Sequence, residues 1–142
     1  MIINGSCHCG NISFELDWGG TPEQIPGRAC DCTFCVKHGG LWTSSPTGFL
    51  TVTVESEDAH SKYAMGTGTA DFHVCTKCGV VPVVTSEIEG RLYAVVSVNA
   101  FNNVDSGLIQ RAPASFGEES SDSRLGRRQK NWIRHVEVLT AA

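Results

Sequence analysis

Three thiols stand within six residues, Cys30, Cys32 and Cys35, in the stretch CDCTFC. Four more form two pairs: Cys7 and Cys9 in C-x-C, and Cys75 and Cys78 in C-x-x-C followed by Gly79. Two cysteines three apart before a glycine make a tight turn whose thiolates converge on one ion. Gly79 suits the left-handed backbone such a turn requires. In C-x-C the side chains at i and i+2 lie on the same side of an extended chain, so Cys7 and Cys9 can grip one ion from a strand end. The two pairs together supply four thiolates, the donor set of a closed, structural zinc site. Cys30, Cys32 and Cys35 supply three, which leaves one corner of a second zinc open for an incoming molecule, as in a catalytic site.

Other uses of these residues stay open at this stage. The thiols could pair as disulfides, although seven is an odd number and C-x-C disulfides are strained. One zinc could be bound while the other cysteines pack as small hydrophobes. Cys32 or Cys35 could be a redox thiol. His38, three residues past Cys35, could close the second site as a fourth ligand. Lys37, His38 and Arg28 lie close to the three-cysteine stretch and could offset its negative charge or contact a substrate. His73 could support the first site from behind its ligands, or be an ordinary strand histidine. His60 and His135 read as surface residues. Trp42 either walls a pocket beside the three cysteines or simply packs, and Trp132 anchors a terminal helix.

The elements that position these side chains are mostly strands. Ile12, Phe14, Leu16 and Trp18 alternate in ISFELDW, and Leu50, Val52 and Val54 alternate in LTVTVE. VVPVVTS and LYAVVSVN are denser, as expected of strands buried on both faces, and Pro82 makes the first an expected edge strand. HVEVL alternates again near the end. A short helix is expected from about Ser121 to Trp132, in SDSRLGRRQKNW, with a Ser or Asp cap. The reading is therefore a mostly β chain of small antiparallel sheets, with the cysteines at strand ends and turns.

The 142 residues suit one domain spanning 1–142. Net charge is −4, and five of the eleven basic residues fall between Arg124 and Arg134. The rest of the chain is acidic, which opposes binding to nucleic acid. The basic run reads as the solvated face of the helix. No stretch approaches the roughly 18 apolar residues of a membrane span. MIINGSCHCG lacks a basic start followed by an apolar run, so a cytoplasmic protein with reduced thiols is expected. Oligomeric state is not legible.

GSCHCGNISFEL, CDCTFCVKHGG and FHVCTKCG, in that order and at those intervals, resemble the glutathione-dependent formaldehyde-activating enzyme family, which also contains centromere protein V. The resemblance extends over nearly the whole chain. It implies a β-tent fold of small antiparallel sheets pinned by zinc, with a structural Zn²⁺ on Cys7, Cys9, Cys75 and Cys78 and a catalytic Zn²⁺ on Cys30, Cys32 and Cys35. It further implies a carbon–sulfur lyase reaction that reversibly joins formaldehyde and glutathione as S-hydroxymethylglutathione. The partners would be a small thiol and an aldehyde. Many members carry Ser after the second cysteine of the triplet and LDD where this chain has NAFNN; Thr33 stands at the first position here. The rival expectation is a non-catalytic zinc-binding module that docks a protein partner, with its second site closed.

Overall fold

The computed structural model describes residues 1–116 and 119–140. In chain order the elements are β1 (Ile2–Ser6), β2 (Ile12–Asp17), β3 (Ile25–Cys30), α1 (Thr33–His38), β4 (Trp42–Thr43), β5 (Phe49–Val54), β6 (His60–Tyr63), β7 (Asp71–Cys75), β8 (Val83–Ile88), β9 (Arg91–Ser97), β10 (Ile109–Ala114), α2 (Ser121–Asn131) and β11 (His135–Thr140). The strands form a four-stranded sheet, β1-β2-β5-β11, and a seven-stranded sheet, β10-β3-β4-β9-β8-β7-β6. Most neighbours are antiparallel, but β10 runs parallel to β3 and β11 parallel to β5, so both sheets are mixed.

The alternating segments behave as period-two strands must. In β2 the side chains of Ile12, Phe14 and Leu16 are buried, and in β5 those of Leu50, Val52 and Val54. They meet Val83, Ala94 and Val96 of the larger sheet in one core. Full burial of each such side chain contributes roughly 1.5–3 kcal/mol. The opposite pleat of β8 and β9 carries Val84, Tyr93 and Val95 into a second core with Cys35, Trp42, Phe72 and Trp132. Strands buried on both faces explain the dense apolar runs. Pro82 does not mark an edge. It precedes β8, which lies inside the sheet between β9 and β7, and its carbonyl accepts from the Ser97 amide at 2.8 Å. The residue without an N–H stands just before the ladder, where no donor is lost.

β11 is the outer strand of its sheet and is mostly exposed, which its alternation did not foretell. The terminal helix forms as expected, capped by Ser120, whose hydroxyl accepts from the Ser123 amide. The short α1 is an addition; its six residues lacked a legible apolar period.

Gly5 faces Phe14 across the β1–β2 ladder. A Cβ placed there would run into the Phe14 ring and stand 2.8 Å from the Ala100 carbonyl oxygen. Gly5→Ala is expected to destabilise the protein by about 1–3 kcal/mol, read as a lower urea midpoint at unchanged slope.

Candidate metal centres and the cavity beside one of them

Two turns bring Cys7, Cys9, Cys75 and Cys78 together. The Gly10 amide donates to the Cys7 carbonyl at 3.1 Å, and the Gly79 amide to the Cys75 carbonyl at 2.7 Å. Gly10 and Gly79 both adopt the left-handed conformation, with φ of 86° and 79°. The expectation for Gly79 holds, while Cys7 and Cys9 belong to a turn after β1 rather than to an extended strand end. The Cys7 and Cys9 sulfurs are 3.8 Å apart and those of Cys9 and Cys75 3.4 Å. Four sulfurs at Zn–S distances near 2.3 Å would stand about 3.8 Å from one another, so the donor set fits such an ion. The Ile12 amide donates to the Cys7 sulfur at 3.3 Å.

Cys30, Cys32 and Cys35 form a second cluster, with sulfurs within 4.8 Å of one another, and no fourth Cys, His, Asp or Glu joins them among the described residues. Cys30 ends β3, and Cys35 lies inside α1. Cys32 is the helix N-cap, its sulfur accepting from the Cys35 amide at 3.3 Å. The hydrogen bond from the Cys35 thiol holds Cys30 down to about 6, and the same bond, with burial, pushes Cys35 up. In the first cluster burial raises Cys7 to about 11. Burial opposes it at Cys78, but the Val80 and Cys9 amides and the neighbouring thiols draw that residue down to about 6. In both clusters crowded sulfurs share protons unevenly, and a cation would relieve that competition. Both groups could therefore hold a metal ion.

The two clusters differ in surroundings. Cys7 and Cys75 are packed into the core between the sheets. Cys30, Cys32 and Cys35 instead line a cavity of about 310 Å³ on the other face of the larger sheet. Its wall includes Trp42, Phe72 and Trp132, so Trp42 does border the three cysteines and Trp132 does more than anchor the helix. Arg28 lines the same cavity; it donates to the Ser44 hydroxyl at 2.6 Å, which donates on to the Asn131 carbonyl. Lys37 and His38 are exposed on α1 and do not line the cavity; the His38 ring stacks on Phe34 at 5.3 Å.

The basic run is only partly the solvated face expected of it: Lys130 and Arg134 are exposed, but its other three members are not. Arg124, Arg127 and Arg128 line the cavity, and Arg128 is only 7% exposed. Arg124, Arg128 and Trp132 recur every four residues, on one stripe of a helix, and that spacing was the available signal. His60 is also not a surface residue. Its ring is buried between Glu57, at 3.1 Å, and Nδ1 of His73, at 2.8 Å. His73 in turn meets the Thr85 hydroxyl at 2.7 Å, and burial pushes it down to about 4. His135 is exposed and stacks on Phe49.

A mostly β chain with one four-sulfur and one three-sulfur cluster defines a class of proteins built around candidate metal sites. Residues 2–115 match the family model of the glutathione-dependent formaldehyde-activating enzyme, and the chain belongs to that family. A Halomonas elongata protein whose name assigns it to glutathione-dependent formaldehyde activation is 29% identical over 85 residues, covering 55% of this chain. The matched region spans about half, 52%, of that relative's length. The crystal structure of a Rhodobacter sphaeroides protein superposes with a TM-score of 0.55 at 23% identity, covering 77% of this chain and 99% of the other. That likeness concerns the fold. No helix among the described residues is long and apolar enough to cross a membrane.

Proposed function

We propose that this chain is a zinc-dependent carbon–sulfur lyase-like enzyme acting on a small thiol–aldehyde adduct such as S-hydroxymethylglutathione. The observation that carries the reading is the unequal placement of the sulfurs. The three-cysteine cluster opens on a cavity, while the four-cysteine cluster is rooted in the core by the buried Cys7 and Cys75, with Cys78 half-buried and Cys9 exposed at its rim. Cys7, Cys9, Cys75 and Cys78 would hold a structural zinc, and Cys30, Cys32 and Cys35 a second. The second ion, when bound, supplies Lewis-acid chemistry that lowers the pKa of a thiol.

The protein's own side chains do the rest. In the cleavage direction the adduct's C–S bond breaks with its electron pair going to sulfur. The hydroxyl loses its proton as the C=O bond of formaldehyde forms, and the thiol regains a proton. Nothing is oxidised or reduced. Trp42, Phe72 and Trp132 keep water from the reacting carbon, and Arg28 binds a carboxylate of the thiol. Holding thiol and aldehyde in one orientation is the main task, since the two also react unaided. Arg28 is the substrate residue best placed for contact; Lys37 and His38 stand on the exposed face of α1, outside the cavity lining.

The test combines stoichiometry with exchange. Protein purified without chelator is expected to carry two equivalents of zinc. Exchange of ¹³C-formaldehyde with S-hydroxymethylglutathione, followed by NMR, is expected to accelerate in proportion to enzyme concentration. An exchange rate equal to that of buffer, together with a cobalt-substituted protein whose spectrum ignores added thiol, would sink the enzyme reading and favour the partner-docking module.

A further inference from the structure

Four guanidiniums, those of Arg28, Arg124, Arg127 and Arg128, line the cavity that the three cysteines share. Among the described residues one carboxylate, Glu119, pairs with them: it takes Arg127 at 2.9 Å and Arg124 at 3.7 Å. Neither Arg28 nor Arg128 has a carboxylate within salt-bridge distance among the described residues. Arg28 is tied to a serine. Arg128 donates from Nη1 to the Thr69 carbonyl, the Thr69 hydroxyl and the Ser86 hydroxyl, at 3.3, 2.9 and 3.1 Å, and all three acceptors are neutral. Its Nε is buried without a partner among the described residues. Burial and the neighbouring Arg127 push Arg128 down to about 10, which still leaves it charged at neutral pH.

Burying a guanidinium without a counter-charge costs several kcal/mol. The fold buries one such guanidinium, Arg128, and leaves a second, Arg28, half-buried at the wall of the same cavity, with no carboxylate on either among the described residues, an arrangement suited to an anion arriving from outside. Arg28 and Cys30 are at i and i+2 of β3, so both project from the same face of the strand, roughly 6–7 Å apart along it. Much of the remaining wall is apolar: Trp42, Phe72, Val84, Val95 and Trp132. A peptide backbone against those side chains would lose hydrogen bonds to water without replacing them.

We propose that the cavity selects a small amphipathic anion, with an oxyanion head against Arg28 and Arg128, an apolar body against the tryptophans and valines, and a thiol or thiol adduct at the three cysteines. The thiol end rests on the function proposed above; the anion end does not. Among the small thiol adducts proposed above, the cavity thus ranks that of an apolar-bodied thiol acid ahead of S-hydroxymethylglutathione, which remains a substrate but a weaker-binding one. This sets a specificity role for two residues of α2, Arg128 and Trp132, or its cap, that lie about a hundred positions from the cysteines they serve.

Calorimetry on the metal-loaded protein tests it with four probes: para-(mercaptomethyl)benzoate, the neutral benzyl mercaptan, para-toluate, which has the acid without the thiol, and glutathione. The thiol acid is expected to bind at least about tenfold more tightly than benzyl mercaptan, the worth of one charge-assisted hydrogen bond. It is also expected to bind more tightly than glutathione. Arg128→Gln should erase the advantage of the acid over the neutral thiol, and Arg128→Lys should restore part of it. Equal affinity of acid and neutral thiol for the unmodified protein would overturn the anion subsite, whatever the variants do to folding. Tighter binding of glutathione would overturn the apolar-body assignment. If para-toluate binds as well as the thiol acid, the anion subsite stands and the thiol reading of the three cysteines fails, so the two claims fail separately.

Discussion

Cys32→Ser is expected to leave the fold intact and abolish the activity. Cys32 has two jobs. Its sulfur caps α1 by accepting from the Cys35 amide, and it belongs to the three-cysteine cluster that lines the cavity. Serine is among the best N-cap residues, so the helix keeps its cap and the change in stability should stay within about 1 kcal/mol. Serine is a poor zinc ligand because its hydroxyl does not ionise near neutral pH. Removing groups that merely support a ligand costs 10–100-fold in affinity or activity, so loss of the ligand itself should cost on the order of 100-fold or more. Metal analysis should fall from two equivalents to one, catalysed formaldehyde exchange should drop to near the buffer rate, and the melting curve should hardly move. A variant with one equivalent of metal and full turnover would remove the three cysteines from the chemistry.

Cys75→Ser should do the reverse and damage the fold first. Cys75 is fully buried, ends β7 and draws the turn after β1 against the middle of the chain, 66 residues away from Cys9. A metal ion on the four sulfurs would hold together segments that lie far apart in the chain. Structural zinc contributes about 10–16 kcal/mol of apparent folding free energy in small domains. Whole-protein stability is about 5–15 kcal/mol, so even a partial loss is large. The expected result is a marked fall in melting temperature, and strong chelators acting on the unmodified protein should reproduce it. If Cys75→Ser melted like the parent, the four-cysteine cluster would not be a structural metal site. Comparing the two variants separates a cluster that supports the fold from one that serves a cavity, although both are built from the same side chain.

How much of this could be read from the chain depended on the range of the interactions involved. The period-two segments were legible because alternation reports burial of one sheet face, and Ile12, Phe14 and Leu16 are buried as that period requires. The edge position expected from Pro82 was not obtained, because a proline just before a strand costs no ladder bond. That distinction of one residue is invisible until the strand's start is known. The surface role given to His60 failed for a different reason. Its burial depends on His73, thirteen residues on, whose ring meets it diagonally across β6 and β7, where His60 is paired with Cys75.

Cysteine spacing by itself determined two pairs and a triplet, because convergence within a C-x-C or C-x-x-C turn is a local property; the union of the two pairs was an expectation, and the tertiary structure decided it by bringing Cys9 to Cys75 across 66 residues. Composition and periodicity likewise determined a mostly β chain with one C-terminal helix. Only the tertiary structure decided which group meets an open space, and that the arginines of α2 are turned into that space instead of toward water. Pairing of charges and enclosure of a cavity are set by segments far apart in the chain, and a helix stripe of Arg124, Arg128 and Trp132 does not say what it will be packed against.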